Sequence, residues 1–476
     1  MALFVYAPRQ TPCLSTGSGR RAVMEAMRLT SFFAAALAVL LLAAQPAAAQ
    51  SILRDAETEA LLDDMSAPLI KAAGLEPENV DIVLINDPSV NAFVAGGQAV
   101  YINSGLINAA DTANEVQGVI AHELGHVAGG HAVFNMGAKS ATNISLLSLL
   151  LGAAAAAAGG GEAALGVLMA GQQAAMGKFL AFNRSQEASA DAAGAQYLST
   201  AGITGQGSIE FFRKLQNMEY RYGYYPREGD EYGRSHPMTQ DRISTLTDTY
   251  EKDPAWSKPS DPEIERRFKR AKAKLFGYLA KPAETHRTYP DYMTGVPARY
   301  ARAYAFHKEA KLGQAMAQAN SLLLEEPDNP YFLELKGQIL LESGKPEDAL
   351  AALRRATELT GNQPLIATLF GHALIATENR ENFAEAEIVL KAAVARDRLN
   401  PFAWYQLGVV YAGNGDIARA RLASAEQQVL SRRMAMALQS AKAAEAALPK
   451  GSPDWLRAQD IALQAEAEIE RKKKKK

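Results

Sequence analysis

His122, Glu123 and His126 stand in the run Val119-Ile-Ala-His122-Glu123-Leu-Gly-His126-Val127, and their types and spacing could do chemistry. Residues four apart on an α-helix lie one above the other on the same face, so two imidazoles at that spacing can grip one metal ion. Glu123, beside the first imidazole, then sits where it can take a proton from a water activated on that ion. The run is apolar and helix-forming, as this reading requires. The same pattern also arises by chance in non-enzymes, so a third ligand has to be found. Cys13 is the only cysteine and lies in a segment expected to be removed, which leaves no thiolate and no disulfide. Any metal must be held by histidine and carboxylate.

His131 follows closely, in Gly129-Gly-His131, but lies nine residues after His122 where the metzincin spacing needs ten. On a continued helix it would point about half a turn away from His122. It is therefore set aside as a ligand and read as a surface or helix-end histidine. Glu187 is the better third ligand. Its segment, Asn183-Arg-Ser-Gln-Glu187-Ala-Ser-Ala-Asp191-Ala-Ala-Gly194, is rich in alanine, which predicts a helix packed closely on a neighbour. Glu187 and Asp191 are four apart and share a face. One carboxylate can bond the ion while Asp191 accepts a histidine's free N–H and fixes its tautomer. Two solvated acids on an exposed helix would be the ordinary reading, but the small apolar neighbours argue against it.

The elements that must position these residues are legible in outline. At 476 residues the chain is expected to hold two or three domains, and its slightly negative charge, with no basic stripe before the extreme C-terminus, excludes nucleic acid as a partner. The N-terminus reads as an export signal: Arg20, Arg21 and Arg28 precede the apolar run from Phe32 to Ala44, and Ala47-Ala-Ala49 offers a cleavage site. Met24 or Met27 is an alternative start. An uncleaved anchor is disfavoured, because the apolar run is shorter than the ~20 residues a spanning helix needs. The product is expected in a periplasm. A helix is expected over 52–73, stopped by Gly74, then a strand over 80–85. Two short strands about Gly96-Gly97 follow, then helix from Leu106 with Asp111 or Thr112 as N-cap. The sheet edge just upstream of the His122 helix could receive a peptide as an added strand.

Between His126 and Glu187 the chain carries two apolar pieces, 144–158 and 163–175, separated by Gly159-Gly-Gly161. The first expectation is a buried helical hairpin; a flap making peripheral membrane contact over 144–175, or a span, are the alternatives. Ile264 to Leu279 reads as a basic, solvated amphipathic helix, and 281–296 as a linker. Repeats follow. Asn329-Pro330, Gln363-Pro364 and Asn400-Pro401 each open a segment, with Gly337, Gly371 and Gly408 seven residues after the prolines and Ala349, Ala386 and Ala420 further on. That period of about 34 residues resembles tetratricopeptide repeats, with Pro297 and Tyr304 opening a degenerate earlier unit. Stacked helix pairs of this kind form a concave groove for protein segments. From Ala441 a helix is expected to fray into the basic run Arg471–Lys476.

Taken together, H-E-L-G-H at 122–126, E-A-S-A-D at 187–191, Asn91-Ala-Phe with Gly105-Leu106, Ser235-His236-Pro237 and Asp241-Arg242-Ile243 resemble the M48 family of zinc metallopeptidases, over residues 52–300 or so. The resemblance implies an α+β chain: a mainly helical gluzincin-type protease domain with a small β-sheet (50–280), then an all-α repeat solenoid (297–440) and a tail (441–476). It implies one Zn²⁺ on His122, His126 and Glu187, with Glu123 as general base and Asp191 as the supporting carboxylate. His236 would come near the metal, as an oxyanion stabiliser or as a fourth ligand that blocks water, and Arg242 would brace the carboxylates. An M48-like peptidase joined to repeats in one exported chain resembles envelope quality-control proteases. Unfolded or misassembled proteins would then be substrates, with the repeats docking substrate or outer-membrane assembly machinery. Two other readings stand beside it: a repeat-based periplasmic chaperone or adaptor with a latent metal site, and an inner-membrane-associated housekeeping protease.

Overall fold

Asp55 opens the first helix by accepting the Thr58 amide at 2.8 Å, and α1 runs Ala56–Ala72. The computed structural model describes residues 51–131, 144, 147–151, 161–222, 236 and 239–474; the expected export signal, residues 1–49, lies outside the described residues. Ile52, expected in the helix, lies instead in strand β1, Ser51–Ile52. β2 is Asp81–Asn86, β3 Ala92–Ala95 and β4 Ala99–Asn103. The sheet order is β1-β2-β4-β3, with β2 and β4 parallel and the two outer pairs antiparallel. Gly96 and Gly97, at φ +68° and +104°, make the β3–β4 turn where the sequence put it.

A short helix α2, Ser104–Ala109, leads to α3, Ala113–Ala128, whose Thr112 side chain caps the Glu115 amide. Every residue of α3 from Ala113 to Val127 is buried. It lies at the centre of the core, between the sheet and α1 on one side and α4 (Gly161–Ala201) and α5 (Gln206–Tyr222) on the other. α6 (Gln240–Glu251) and α7 (Pro262–Leu279) close this half, with Phe268 and Leu275 of α7 in the same core.

The apolar insertion departs from its first expectation. The described part of the first piece is helical and packs on α4, Ser148 lying where a Cβ of Gly171 would be. The rest is exposed: Leu150 is 70% accessible and Met169 69%, with Leu147, Leu165 and Met176 open as well. Most large apolar side chains of the insertion's described residues are therefore not buried, while Ser148 and Ala175 are. Residues 145–146 and 152–160 of the insertion lie outside the described residues. No helix among the described residues is long and apolar enough to cross a membrane.

The segment 281–296 holds a short helix, α8 (Pro282–Thr288), and from Val296 the described chain is five antiparallel helix pairs. These are α9 (Val296–Lys308) with α10 (Leu312–Glu325), α11 (Pro330–Glu342) with α12 (Pro346–Leu359), α13 (Pro364–Ala376) with α14 (Glu381–Arg396), α15 (Pro401–Gly413) with α16 (Ile417–Leu430), and α17 (Met434–Ala447) with α18 (Pro453–Lys474). The repeated Asn/Gln-Pro signal has a physical role. Asn329, Gln363 and Asn400 each accept two amides of the first turn, and the following proline sits where no amide is needed. Gly337 and Gly371 leave room for Leu353 and Leu390 of the paired helix. The tail is not a fraying end: α17 and α18 bury Ala441, Ala444, Ala458 and Ile461 against each other, and the helix continues through Lys474.

The two halves meet through buried charge. Arg270 and Lys274, one turn apart on α7, are each only 5% exposed, so the reading of α7 as a solvated basic helix is corrected. Arg270 bonds Glu57 of α1, and the other Glu57 oxygen accepts Tyr300 of α9 at 2.8 Å. Lys274 pairs with Asp55 and lies 3.7 Å from Glu334 of α11. Periodicity showed a charged face; it could not show the acids that cover it, some 200 residues away.

Removing one partner of such a pair leaves an uncompensated buried charge and costs ~3–5 kcal/mol, whereas removing both as apolar residues is far milder. Arg270→Met is therefore expected to lower the urea midpoint strongly, and Glu57→Leu/Arg270→Met to recover most of it. Burial pushes the Glu334 carboxyl up to about 7; Lys274 opposes this and Asp55 and Glu57 add to it. An acid whose folded pKa is raised favours folding most at low pH, and that contribution is lost as pH rises from its unfolded value near 4.5 through about 7. Glu334→Gln is expected to gain stability relative to the parent at about pH 8 and not at about pH 4, measured by urea unfolding at both.

Candidate metal centre

α3 and α4 touch backbone to backbone. A Cβ on Gly125 would stand 2.7 Å from the Ala190 carbonyl oxygen, and one on Gly194 would stand 3.1 Å from Ala121. That approach carries Glu187 and Asp191, both buried, to His122 and His126. The alternative of two solvated acids is thereby excluded. α5 comes equally close two turns earlier along α3, where Gly118 meets Ser208 and Asn114 accepts the Gly207 amide at 2.8 Å. It brings Phe212 edge-on to His122, 6.1 Å between ring centroids.

The donor atoms converge. His122 Nε2 and His126 Nε2 are 3.2 Å apart, and each is 3.4 Å from an oxygen of Glu187. His236 Nδ1 is 3.3 Å from His122 Nε2 and 3.0 Å from both Glu187 oxygens. All four residues are buried, with one donor each within 4.8 Å of the others. In a tetrahedron with metal–ligand bonds of ~2.0–2.1 Å, the ligand atoms stand about 3.3 Å apart. The observed spacings lie at that edge length, so the residues fit such an ion, with His236 at the fourth corner. Ser235 and Pro237, which flank it in the sequence motif, lie outside the described residues.

Around these donors a second layer holds them in place. His122 Nδ1 lies 2.9 Å from Asp191 Oδ1. Arg242, on the first turn of α6, donates to both Asp191 oxygens at 2.7 and 2.8 Å and lies 3.2 Å from Glu187. Burial alone would lower the His122 pKa, but Asp191 and Glu187 outweigh it and raise it to about 9. Burial likewise pushes Glu187 and Asp191 up. The histidines bonded to Glu187 reverse this and hold its carboxyl far below the usual range, while His122 and Arg242 lower Asp191. Glu123 is 1% exposed, and its Oε1 has no hydrogen-bond partner among the described residues; His236 Nε2 lies 3.6 Å from it. A buried carboxylate oxygen left unbonded next to a set of metal-ligating atoms is the arrangement a proton-accepting glutamate needs.

His131 is not among the converging donors. It is the helix-end residue the sequence suggested, but its Nδ1 lies 2.8 Å from His126 Nδ1, a contact sequence reasoning missed. Two glycines just before it at a helix end were the available signal.

Residues 53–250 match the model of peptidase family M48. A β-barrel assembly-enhancing protease from Yersinia pestis is 24% identical over 383 residues, 79% of this chain and 76% of that protein. The protein of the same name from Escherichia coli strain K12 is 27% identical over 293 residues, 59% of this chain and 58% of its own length. Among solved structures, the TPR protein YrrB, described as having an unusual peptide-binding site, aligns with a TM-score of 0.30 at 22% identity, over 37% of this chain and 91% of that one.

Carboxylates that orient a ligating histidine typically contribute about 10–100-fold to metal affinity. Asp191→Asn keeps the shape but removes the charge facing His122 and Arg242, and is expected to weaken Zn²⁺ binding by about that factor. Competition with a chromophoric chelator measures it.

Proposed function

We propose that this chain, a metalloendopeptidase whose residues 53–250 are a peptidase family M48 domain, hydrolyses peptide bonds of misfolded or misassembled envelope proteins after export to the periplasm. The observation that carries the reading is the convergence of His122, His126 and Glu187 at ligand spacing beside the unbonded Glu123 oxygen. Zn²⁺, held by those three residues, would supply Lewis-acid polarisation of the scissile carbonyl and of the attacking water.

The chain's own groups do the rest. Glu123 takes the proton of the attacking water and hands it to the leaving amine nitrogen. Asp191 keeps His122 in the tautomer that presents Nε2, and Arg242 keeps Asp191 ionised and lies 3.2 Å from Glu187, holding the two carboxylates in line. β3, an edge of the sheet among the described residues, packs on α3 and offers its backbone to an extended substrate as an added strand. His236 Nδ1, 3.3 Å from His122 Nε2 and 3.0 Å from Glu187, would act as a fourth donor that keeps water out of the resting site until it moves aside; stabilising the oxyanion is the other role its place allows. The repeats dock substrate or outer-membrane assembly machinery, a role taken from the relatives' name. The exposed apolar face around Leu150 and Met169 makes peripheral contact with a membrane surface.

The mature protein is expected to bind one Zn²⁺ per chain. Glu123→Gln should retain the metal and lose casein cleavage by about 10²-fold or more, as removal of a general base does. His236→Ala should retain it and cleave faster than the parent. Unchanged casein turnover by Glu123→Gln, with metal bound, would sink the hydrolytic reading and leave the repeat-based chaperone.

A further inference from the structure

We propose that His131 is a positioning residue for His126, built into the way α3 ends; this rests on His126 being a metal ligand, as argued above. α3 stops at Gly129, and Gly130 adopts φ +64°. The Gly130 amide bonds the Val127 carbonyl and the His131 amide bonds the His126 carbonyl, both at 3.0 Å. This pair of bonds is the Schellman helix stop, which folds the residue after the left-handed glycine back over the residue five before it. Ordinarily two apolar side chains fill that contact.

Here both side chains are imidazoles. His131 Nδ1 is 2.8 Å from His126 Nδ1, with the rings edge to face, centroids 4.9 Å apart and planes at 73°. The His131 ring lies over Gly129, where a Cβ would stand 2.6 Å from His131 Nε2. Each glycine thus has its own reason: Gly130 for the left-handed turn, Gly129 for the space the ring occupies.

The chemistry follows from which nitrogen faces the site. His126 presents Nε2 to Glu187 and His122. A neutral imidazole that ligates through Nε2 carries its proton on Nδ1 and needs an acceptor for it. His131 Nδ1 is at hydrogen-bond distance to be that acceptor, with its own proton on Nε2. The two ligands on α3 are therefore oriented by different groups, His122 by the Asp191 carboxylate and His126 by an imidazole supplied by the helix's own end.

The test is Zn²⁺ affinity of the full mature chain by chelator competition, together with the visible absorption spectrum of the Co²⁺-loaded protein, which reports ligand geometry without turnover. His131→Ala is expected to bind Zn²⁺ about 10–100-fold more weakly and to shift the Co²⁺ bands. His131→Asn, whose Oδ1 can stand where Nδ1 stood, should restore both, a rescue that a space-filling role would not give. Gly129→Ala, which displaces the ring, should resemble His131→Ala, with circular dichroism confirming that each variant is folded. Parent-like affinity and spectrum in His131→Ala would overturn the proposal, as would His131→Asn being no better than His131→Ala. Failure of the metal reading looks different: the parent would bind no Zn²⁺, or Glu187→Ala would bind it as tightly as the parent.

Discussion

Backbone-to-backbone contact between α3 and α4 is the constraint on which the site depends. Helices with ordinary side chains between them pack at about 8–10 Å between axes. Gly125 against Ala190, and Gly194 against Ala121, remove the spacer on both sides. Glu187 reaches the His122–His126 pair only because of this, since a carboxylate on a short side chain cannot make up a gap of ångströms while holding donor spacings of 3.0–3.4 Å. A small increase in helix separation would pull these donor atoms apart.

Close packing also forces charge into the interior, and the molecule does so at two places with different results. At the joint between the halves, the Arg270 guanidinium, both Glu57 oxygens and the Tyr300 hydroxyl complete one another. That is how a buried ion pair is made tolerable, and it fixes where the first repeat helix sits on α7. In the metal centre, Asp191 and Arg242 complete each other in the same way, but Glu123 Oε1 has no hydrogen-bond partner among the described residues. It shares that condition with other buried atoms, Lys274 Nζ and Glu334 Oε2 at the joint among them; what sets Glu123 apart is its place beside His122, His126 and Glu187.

What was legible in the sequence is what local chemistry writes there. His122 and His126 share a helix face by spacing alone, with Glu123 beside the first. Thr112 announces its cap, Gly96-Gly97 their turn, and the Asn/Gln-Pro signals of the repeats their helix starts. Glu187 was singled out because alanines around an acid imply a close neighbour, and α3 is that neighbour. The failures are long-range or geometric. Nothing near Arg270 or Lys274 in sequence says that Asp55 and Glu57 will cover them. Apolarity in 144–175 does not say which side a neighbour covers, and the exposed Leu150 and Met169 show that one side was left open. Spacing correctly kept His131 out of the donor set, yet a nine-residue offset describes a continuing helix. It could not show that the stop at Gly130 turns the chain back onto His126.

Glycine does the positioning in both halves, and the difference between its two uses separates scaffold from site. In the repeats the notch at Gly337 or Gly371 is filled by a leucine, Leu353 or Leu390, so the close approach is repaid in buried apolar surface within each helix pair. At Gly125 and Gly194 nothing fills the notch except the opposite backbone, and the side chains that flank the contact are imidazoles and carboxylates. The contact brings these charges together in a buried interior. Around it the same core joins Ile120, Leu124 and Val127 of α3 to Ala195 and Leu198 of α4, so apolar packing beside the notch holds together the helices that carry the imidazoles and the carboxylates.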